Sequence, residues 1–261
     1  MIHGGHTIAD TTSALFVWEH SYYPYYYVPW SAIPSPSSTS TSPINGTVSA
    51  SQSQYPQWEE RGTLTSSDDS RDVLGRLWRV HVSPNESTAI DNVLETIGST
   101  PQIGNMLRIP HNTPDHWLEE DTPIFVHPKD PFKRVDTVSS LRRIKVSLNG
   151  VTLAESPYSV HLFETGLPTR YYIPLSSIEQ SVLTKSEKRT QCPYKGEAEY
   201  YDVVLRGRDG EEEEVYEGLV WYYNRPNMEC AQVVGLCCFY NEKVDVEIDG
   251  VREERPKTQF A

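Results

Sequence analysis

The chain has 261 residues and a mass of 29.7 kDa, and 37% of its residues are hydrophobic and 11% aromatic. These values exclude a very small disulfide scaffold and a wholly disordered chain, because one large or two ordinary domains can each bury a core. The 36 acidic and 23 basic residues give a net charge of -13, which repels phosphate backbones and anionic lipids. We therefore expect neither a nucleic acid nor a membrane as a partner.

The opening residues and the cysteines predict a cytoplasmic protein. No stretch approaches the roughly 20 apolar residues that span a bilayer. The first ten residues lack the basic and apolar regions of a signal peptide. Reduced thiols are the default in the cytosol, and we expect them at Cys192, Cys230, Cys237 and Cys238.

An internal repeat indicates two homologous domains in tandem. Residues His6–Ile33 align with Val151–Ile178 without a gap, and eight aligned pairs are identical, including Glu19 with Glu164 and Tyr27 with Tyr172. A weaker sequence similarity relates Phe132–Asp136 to Asn241–Asp245. We predict a divergent first repeat at 1–136, a complete second repeat at 142–251 and a C-terminal tail at 252–261.

The first repeat begins where the second has a hairpin turn, so its first strand is missing. The run Tyr22–Tyr27 around Pro24 could line an aromatic groove, or its rings could pack in a core and a domain interface. Residues 34–57 are rich in Ser, Thr, Pro and Gln and have too little apolar surface to pack, which predicts a disordered insertion.

The second repeat has the pattern of a mainly β domain. Ile144, Val146 and Leu148 alternate with polar residues, and Asn149-Gly150 supplies the turn of a β-hairpin. The run Gln232–Tyr240 fits a short helix or a buried strand, and Glu211–Glu214 predicts a solvated turn. Further strands are predicted at Tyr158–Phe163, Tyr171–Pro174, Ala198–Leu205, Val215–Tyr223 and Val244–Ile248.

Reactive side chains are densest between Glu164 and Trp221. A turn at 165–168 brings a carboxylate, a guanidinium and phenols close together, and a tight segment at 190–196 holds a thiol, a phenol and an amine within four residues. The candidate catalytic residues are Glu164, Arg170, Tyr172, Cys192, Tyr194 and Lys195. The candidate substrate-binding residues are His161, Tyr171, Trp221 and Tyr222.

Four segments carry a family resemblance: ETGLPTRYYIP at 164–174, TQCPYKGEAEYYDV at 190–203, the Trp221-Tyr222 pair, and GLCCFYNEKVDV at 235–246. Together they resemble the domain of unknown function 427 family over the whole second half, and the first half resembles the divergent first copy of tandem members. The resemblance implies a small β-tent fold, related to folds that often hold zinc, and no settled activity.

The residues favour neither a metal nor a cofactor. A structural zinc site needs about four Cys or His ligands, and the chain has no Cys-x-x-Cys motif. His111 and His116 lack a third ligand nearby in sequence. No glycine-rich phosphate loop and no paired aspartate metal site support nucleotidyl transfer.

Glu164 is the main candidate for acid–base chemistry. A partly buried carboxylate beside aromatic walls can act as a base, and a phenol, an amine and a guanidinium can stabilise an enolate. The alternative is a buried ion pair of Glu164 with Arg170 that only holds the turn. Glu19 keeps the carboxylate in the first repeat, but Tyr25 replaces the arginine, so we place any active pocket in the second repeat.

Two other candidates have structural alternatives. Cys192 could be a nucleophile activated by Lys195 or Arg170, or a small apolar side chain beside Pro193. His161 lies in an alternating strand and could belong to the core instead of a site.

These groups predict a cofactor-independent acid–base enzyme acting on a small, carbonyl-rich, polyketide-like metabolite. Cyclisation, formation of a lactone or pyrone, or elimination would each fit. The alternative is a module that binds a small molecule or a peptide without turnover. The sequence leaves open whether the two copies pack within one chain or across a homodimer.

Overall fold

The structure is a computed structural model that describes residues 1–33, 55–65, 73–97, 102–205 and 213–258. The chain divides into two compact units, Met1–Pro128 and Lys129–Ala261. Both consist of antiparallel β-strands, and every helix in the described ranges is a short 3-10 helix. The predicted mainly β class is confirmed. None of the helices found in these ranges is long and apolar enough to cross a bilayer.

The first unit is organised around a six-stranded sheet with the order β3-β4-β8-β7-β6-β5. Two small hairpins, β1-β2 and β9-β10, accompany it. The strands are β1 Ile2–His3, β2 His6–Thr7, β3 Leu15–Val17, β4 Tyr25–Pro29, β5 Gln57–Thr65, β6 Val73–His81, β7 Ala89–Thr96, β8 Met106–Arg108, β9 Trp117–Glu119 and β10 Thr122–Ile124. Apart from 55–57, the predicted insertion at 34–57 lies outside the described residues, and Gln57 already belongs to β5.

The second unit combines a seven-stranded sheet, β11-β14-β15-β19-β18-β17-β16, with a four-stranded sheet, β13-β12-β20-β21. The strands are β11 Val135–Ser140, β12 Ile144–Leu148, β13 Val151–Ser156, β14 Ser159–Glu164, β15 Arg170–Pro174, β16 Leu183–Cys192, β17 Gly196–Leu205, β18 Glu214–Tyr222, β19 Leu236–Phe239, β20 Asp245–Ile248 and β21 Val251–Arg252. The sequence predicted five of these within two residues at each end, and the β12-β13 hairpin forms at Asn149-Gly150, whose φ angles are 50° and 80°.

The structure shows the secondary structure of three segments that the sequence left open or did not predict. The run Gln232–Tyr240 holds the end of a 3-10 helix, Met228–Val233, followed by strand β19. Strand β11 lies where the sequence placed the join between the repeats, and it pairs with β14 in the second unit. Strand β16 is almost entirely polar, which hid it from hydrophobic periodicity. Glu211 and Glu212 of the acidic run lie outside the described residues, and Glu214 begins β18.

Six strands follow the same order in both units. The order β3-β4-β8-β7-β6-β5 in the first unit corresponds to β14-β15-β19-β18-β17-β16 in the second. Val28 of β4 pairs with Leu107, and its aligned counterpart Ile173 of β15 pairs with Cys237. A 3-10 helix follows each of these strands, at Trp30–Ala32 and at Leu175–Ser177. The shared topology supports the interpretation of an internal repeat.

The seven-stranded sheet buries both of its faces. One face, here the sandwich face, carries Ile173, Val220 and Cys237 and forms a core with Ile144 and Val246 of the four-stranded sheet. The opposite face, here the aromatic face, carries a separate buried cluster. Its members include Leu162, Tyr172, Tyr200, Trp221 and Cys238, and the 3-10 helix Met228–Val233 adds Cys230 and Val233. Side-chain alternation therefore assigns each predicted site residue to one face or the other.

Candidate functional site

Glu164 ends strand β14 at the edge of the aromatic face. The turn that follows is closed by a hydrogen bond from Leu167 N to Glu164 O, and Gly166 takes a φ of 78°, which favours glycine. Thr165 ties the turn to the preceding segment, since its hydroxyl oxygen accepts from Arg134 N at 3.0 Å and its own N–H donates to Arg134 O at 3.0 Å. The carboxylate of Glu164 is thus held on a braced turn.

Lys195 lies in the turn between β16 and β17. Asn227 fixes this turn by donating from its backbone N to Lys195 O at 3.1 Å and from Nδ2 to Pro193 O at 2.8 Å. Gly196 has a φ of 98°, and a Cβ there would lie 3.0 Å from Arg225 O. The strained position and the close backbone explain why glycine follows the lysine.

Glu164 and Lys195 form an ion pair. Their side chains are only 5% and 14% exposed, so solvent screens the pair weakly. Burial lowers the pKa of Lys195, but the nearby Cys192 and Glu164 raise it more, and the net shift is upward. The amine is therefore an ammonium at neutral pH, able to donate hydrogen bonds but not to act as a base.

An open groove of about 390 Å³ lies beside Glu164, and Lys195 is not among the residues that line it. It is lined by Arg134, Phe163, Glu164, Thr165 and Leu167. Phe163 is 44% exposed, and the largely exposed Arg134 pairs with Asp136. The groove thus offers one carboxylate, one guanidinium and apolar surface. The sequence analysis did not name Arg134 as a site residue. The similarity of Phe132–Asp136 to Asn241–Asp245 was the one signal that could have indicated it.

Arg170 binds Glu242, so both the predicted role of Arg170 as an anion stabiliser beside Glu164 and the alternative of an ion pair between Arg170 and Glu164 are wrong. Its Nη1 and Nη2 donate to the two carboxylate oxygens of Glu242 at 2.6 and 2.7 Å. The Glu242 side chain has no exposed surface, and the guanidinium lies 5.4 Å from the ring centroid of Trp221. Sequence reasoning missed Glu242, which comes from the loop after β19. Arg170 is therefore held by the core.

Tyr172 and Trp221 are neighbours inside the aromatic face. The Trp221 indole Nε1 donates to the Tyr172 hydroxyl at 2.9 Å, and the two rings meet edge to face with centroids 6.2 Å apart. Tyr172 has no exposed surface, and burial raises its pKa well above the ordinary value. These residues do not line the groove, and a phenol that holds its proton so firmly does not suit the predicted proton donor.

Tyr194 and Cys192 lie close in sequence to Lys195. The Tyr194 hydroxyl accepts from Asp130 N at 2.6 Å, and burial raises its pKa. Cys192 is half-buried at the end of β16, opposite Gly196 across the hairpin. Below the turn, the buried Cys230 thiol contacts Tyr194 O at 3.9 Å. The structure thus brings both predicted residues near Lys195, and neither lines the groove.

His161, Tyr171 and Tyr222 lie on the sandwich face, opposite to Glu164. His161 Nε2 is 3.1 Å from the hydroxyl oxygen of buried Ser159, and burial lowers the pKa of His161. Its ring packs 4.9 Å from Tyr171, measured between centroids. Tyr222 donates from its hydroxyl to Glu199 at 3.0 Å. None of these three predicted substrate-binding residues lines the groove, although the His161 ring lies 6.3 Å from that of Phe163, which does.

Within the described ranges, no three His, Cys, Asp or Glu side chains converge as a metal site would require. The four cysteines are all free thiols.

Comparison with known proteins assigns the family. No curated protein sequence matches the chain. A family model described as a domain of unknown function, DUF427, matches residues 1–56 and 136–250, which is more than half of the chain. The second match begins in β11 and ends just after β20, so it includes Glu164, Lys195, Arg170 and Glu242. The chain is therefore a member of the DUF427 family.

Proposed function

We propose that this protein is a cofactor-independent acid–base enzyme that acts on a small carbonyl compound in the groove beside Glu164. One observation carries the proposal: the groove is lined by a carboxylate that is ion-paired with a largely buried ammonium. A carboxylate can take a proton from carbon, and an ammonium in a poorly screened site can stabilise the negative charge that forms on oxygen.

The chemical step uses both members of the pair. A carboxylate oxygen of Glu164 takes a proton from the carbon next to a carbonyl group, the C–H electron pair forms the C=C bond of an enolate, and the carbonyl π electrons move to oxygen. The buried Lys195 ammonium, which is bound to Glu164 and does not line the groove, stabilises the charge on that oxygen electrostatically and keeps its own proton. Attack of the enolate carbon on a second carbonyl closes a ring, and loss of a β-leaving group gives elimination instead. Glu164 then returns the proton to the product or leaving group.

Groups around the pair suit a polyketide-like substrate class. Arg134 could bind a substrate carboxylate through its planar guanidinium, and Phe163 and Leu167 offer apolar contacts along the groove. Arg170, Tyr172 and Cys192 have no step in this mechanism, because the first two are held in the core and the third is not needed for enolate chemistry. We also propose a cytoplasmic location, and the four free thiols support it.

Exchange of carbon-bound hydrogen tests the proposal without knowledge of the natural substrate. The probe is 4-oxopentanoate, which has a ketone and a carboxylate, and NMR in D₂O follows loss of the protons next to the ketone. We expect the protein to accelerate exchange and Glu164→Gln to reduce that acceleration by about a hundredfold or more. Glu197→Gln, at an exposed carboxylate of β17, is the matched control and should exchange normally.

Measuring the binding of 4-oxopentanoate to Glu164→Gln distinguishes a catalytic role of Glu164 from a purely structural one. If Glu164→Gln still binds 4-oxopentanoate but no longer exchanges it, the proposal stands. Equal exchange in Glu164→Gln and the original protein would contradict it. A module that binds without turnover is the second candidate, and the mutual neutralisation of Glu164 and Lys195 favours it. That candidate predicts saturable binding with no exchange in the unmodified chain.

A further inference from the structure

The first unit contains a second carboxylate–cation pair, at a position that the repeat aligns with Glu164. Glu19 was expected to lack a charged partner, because Tyr25 stands where the second repeat has Arg170. Arg108 supplies one: its Nε is 2.9 Å from Glu19 Oε1, and the Tyr27 hydroxyl donates to the same oxygen at 3.1 Å. The cation comes from β8, where Arg108 is the cross-strand neighbour of Tyr27.

Aromatic rings surround this pair. The Arg108 guanidinium lies 4.5 Å from the ring centroid of Tyr25, a cation–π distance. His20 Nδ1 accepts from Tyr22 N at 3.2 Å, so the proton on Nε2 points to the Tyr25 hydroxyl at 3.3 Å. A hydrogen bond with Tyr25 raises the pKa of Tyr23, whose ring packs edge to face on His20 with centroids 4.4 Å apart. Arg108 is thus oriented by an acid and an aromatic ring.

The terminal nitrogens of Arg108 are available to a ligand. Its contacts in the described part of the chain are the Nε pair with Glu19 and the packing on Tyr25, and they leave Nη1 and Nη2 without a hydrogen-bond partner there. The side chain is 21% exposed and that of Glu19 is 32% exposed, so small molecules can reach both. A guanidinium with two unused, coplanar donors matches the two oxygens of a carboxylate.

We propose that the first unit binds a small planar aromatic carboxylate at Arg108. The carboxylate would accept from Nη1 and Nη2, and the ligand ring would pack against the neighbouring phenol and imidazole rings. The Glu19 carboxylate beside Arg108 repels a phosphate dianion more strongly than a carboxylate monoanion, so the pair favours the singly charged ligand. This site and its ligand are independent of the acid–base chemistry proposed for the second unit.

Titration of the full chain with 4-hydroxybenzoate tests the site. Calorimetry should detect binding, and 4-hydroxybenzyl alcohol and phenyl phosphate should bind at least about tenfold more weakly. Arg108→Lys keeps a cation beside Glu19 but loses the planar donor pair, and we expect it to weaken binding by about tenfold or more. Arg76→Lys is the matched control on β6 of the same unit and should bind normally.

NMR locates the ligand. The Tyr25 ring signals, assigned by their loss in Tyr25→Phe, should shift when 4-hydroxybenzoate is added. Circular dichroism of Arg108→Lys checks that the fold is intact. Unchanged affinity in Arg108→Lys, no binding to the unmodified chain, or shifts that leave Tyr25 unaffected would each overturn the proposal.

Discussion

Lys195 and Glu164 form an ion pair across 31 positions of sequence, between the turn after β16 and the end of β14. No strand pairing joins these two strands directly, because β15, β19, β18 and β17 lie between them in the sheet order. The pair therefore depends on the aromatic face that both segments border. It is also the feature on which the proposed chemistry rests.

Removing the ammonium should destabilise the fold. In Lys195→Met the Glu164 carboxylate stays largely buried without its counter-ion, and we expect the free energy of unfolding to fall by about 1–3 kcal/mol. Urea denaturation at pH 7 measures this change in the free energy of unfolding. The double variant Lys195→Met, Glu164→Gln should lose less stability than the sum of the two single variants, because neither then leaves a charge unpaired.

Lys185→Met is the control for that measurement. Lys185 is 63% exposed and lies 3.5 Å from Glu199, so its loss should change the free energy of unfolding by less than about 1 kcal/mol. Similar losses in Lys185→Met and Lys195→Met would mean that the Glu164 pair is a solvated surface contact.

The buried pair of Arg170 with Glu242 should give the protein an acid-sensitive stability. Burial raises the pKa of Glu242, but hydrogen bonds from Arg170 and Thr258 lower it more, so the folded pKa is below the ordinary value of 4.5. A carboxyl with a depressed folded pKa stabilises the fold above its unfolded pKa and loses that contribution as the pH falls through the folded pKa. The contribution of Glu242 should therefore be full at pH 7 and decline below about pH 5.

The test compares the free energies of unfolding of the unmodified chain and Glu242→Gln. At pH 7 we expect a difference of about 3–5 kcal/mol, because the variant leaves the Arg170 charge buried and unpaired. The difference should shrink between about pH 5 and pH 3. Glu155→Gln, on the exposed side of β13, should change stability little at either pH. A Glu242→Gln effect that stays constant over this range would contradict the assigned pKa.

Thiol labelling should find one reactive cysteine. Burial raises the pKa values of Cys230, Cys237 and Cys238 to about 12, so at pH 8 only about one in ten thousand of each is a thiolate. Cys192 is half-buried and accessible by comparison. Ellman's reagent should modify one thiol in the folded protein and all four in guanidinium chloride.

Cys192→Ala should abolish the fast reaction and leave three slow thiols. Fast modification of a second cysteine before unfolding would show that the 3-10 helix Met228–Val233 or strand β19 opens in solution. Cys192→Ala should also retain full exchange of 4-oxopentanoate, since enolate chemistry at Glu164 uses no thiol.

Part of the site was predictable from sequence, because it rests on local features. Gly166 and Gly196 mark turns that place Glu164 and Lys195 at strand ends, and both residues were recognised as candidates. The ion-pair partners of these side chains were not predictable from the sequence. Arg170 follows Glu164 closely in sequence, and only the structure directs its guanidinium to Glu242. Strand β16, which delivers Lys195, is polar because it forms an exposed edge, so it shows no hydrophobic alternation.

The amino-acid sequence by itself determined the mainly β class, the β12-β13 hairpin, the repeat and the family resemblance, because alternation, turn residues and self-similarity are local properties of a chain. The tertiary structure alone decided which side chains meet. Neighbouring residues such as Tyr171 and Tyr172 point to opposite faces of one sheet, and strand order determines what each face holds. That order arises from hydrogen bonds between distant strands, which no local pattern encodes.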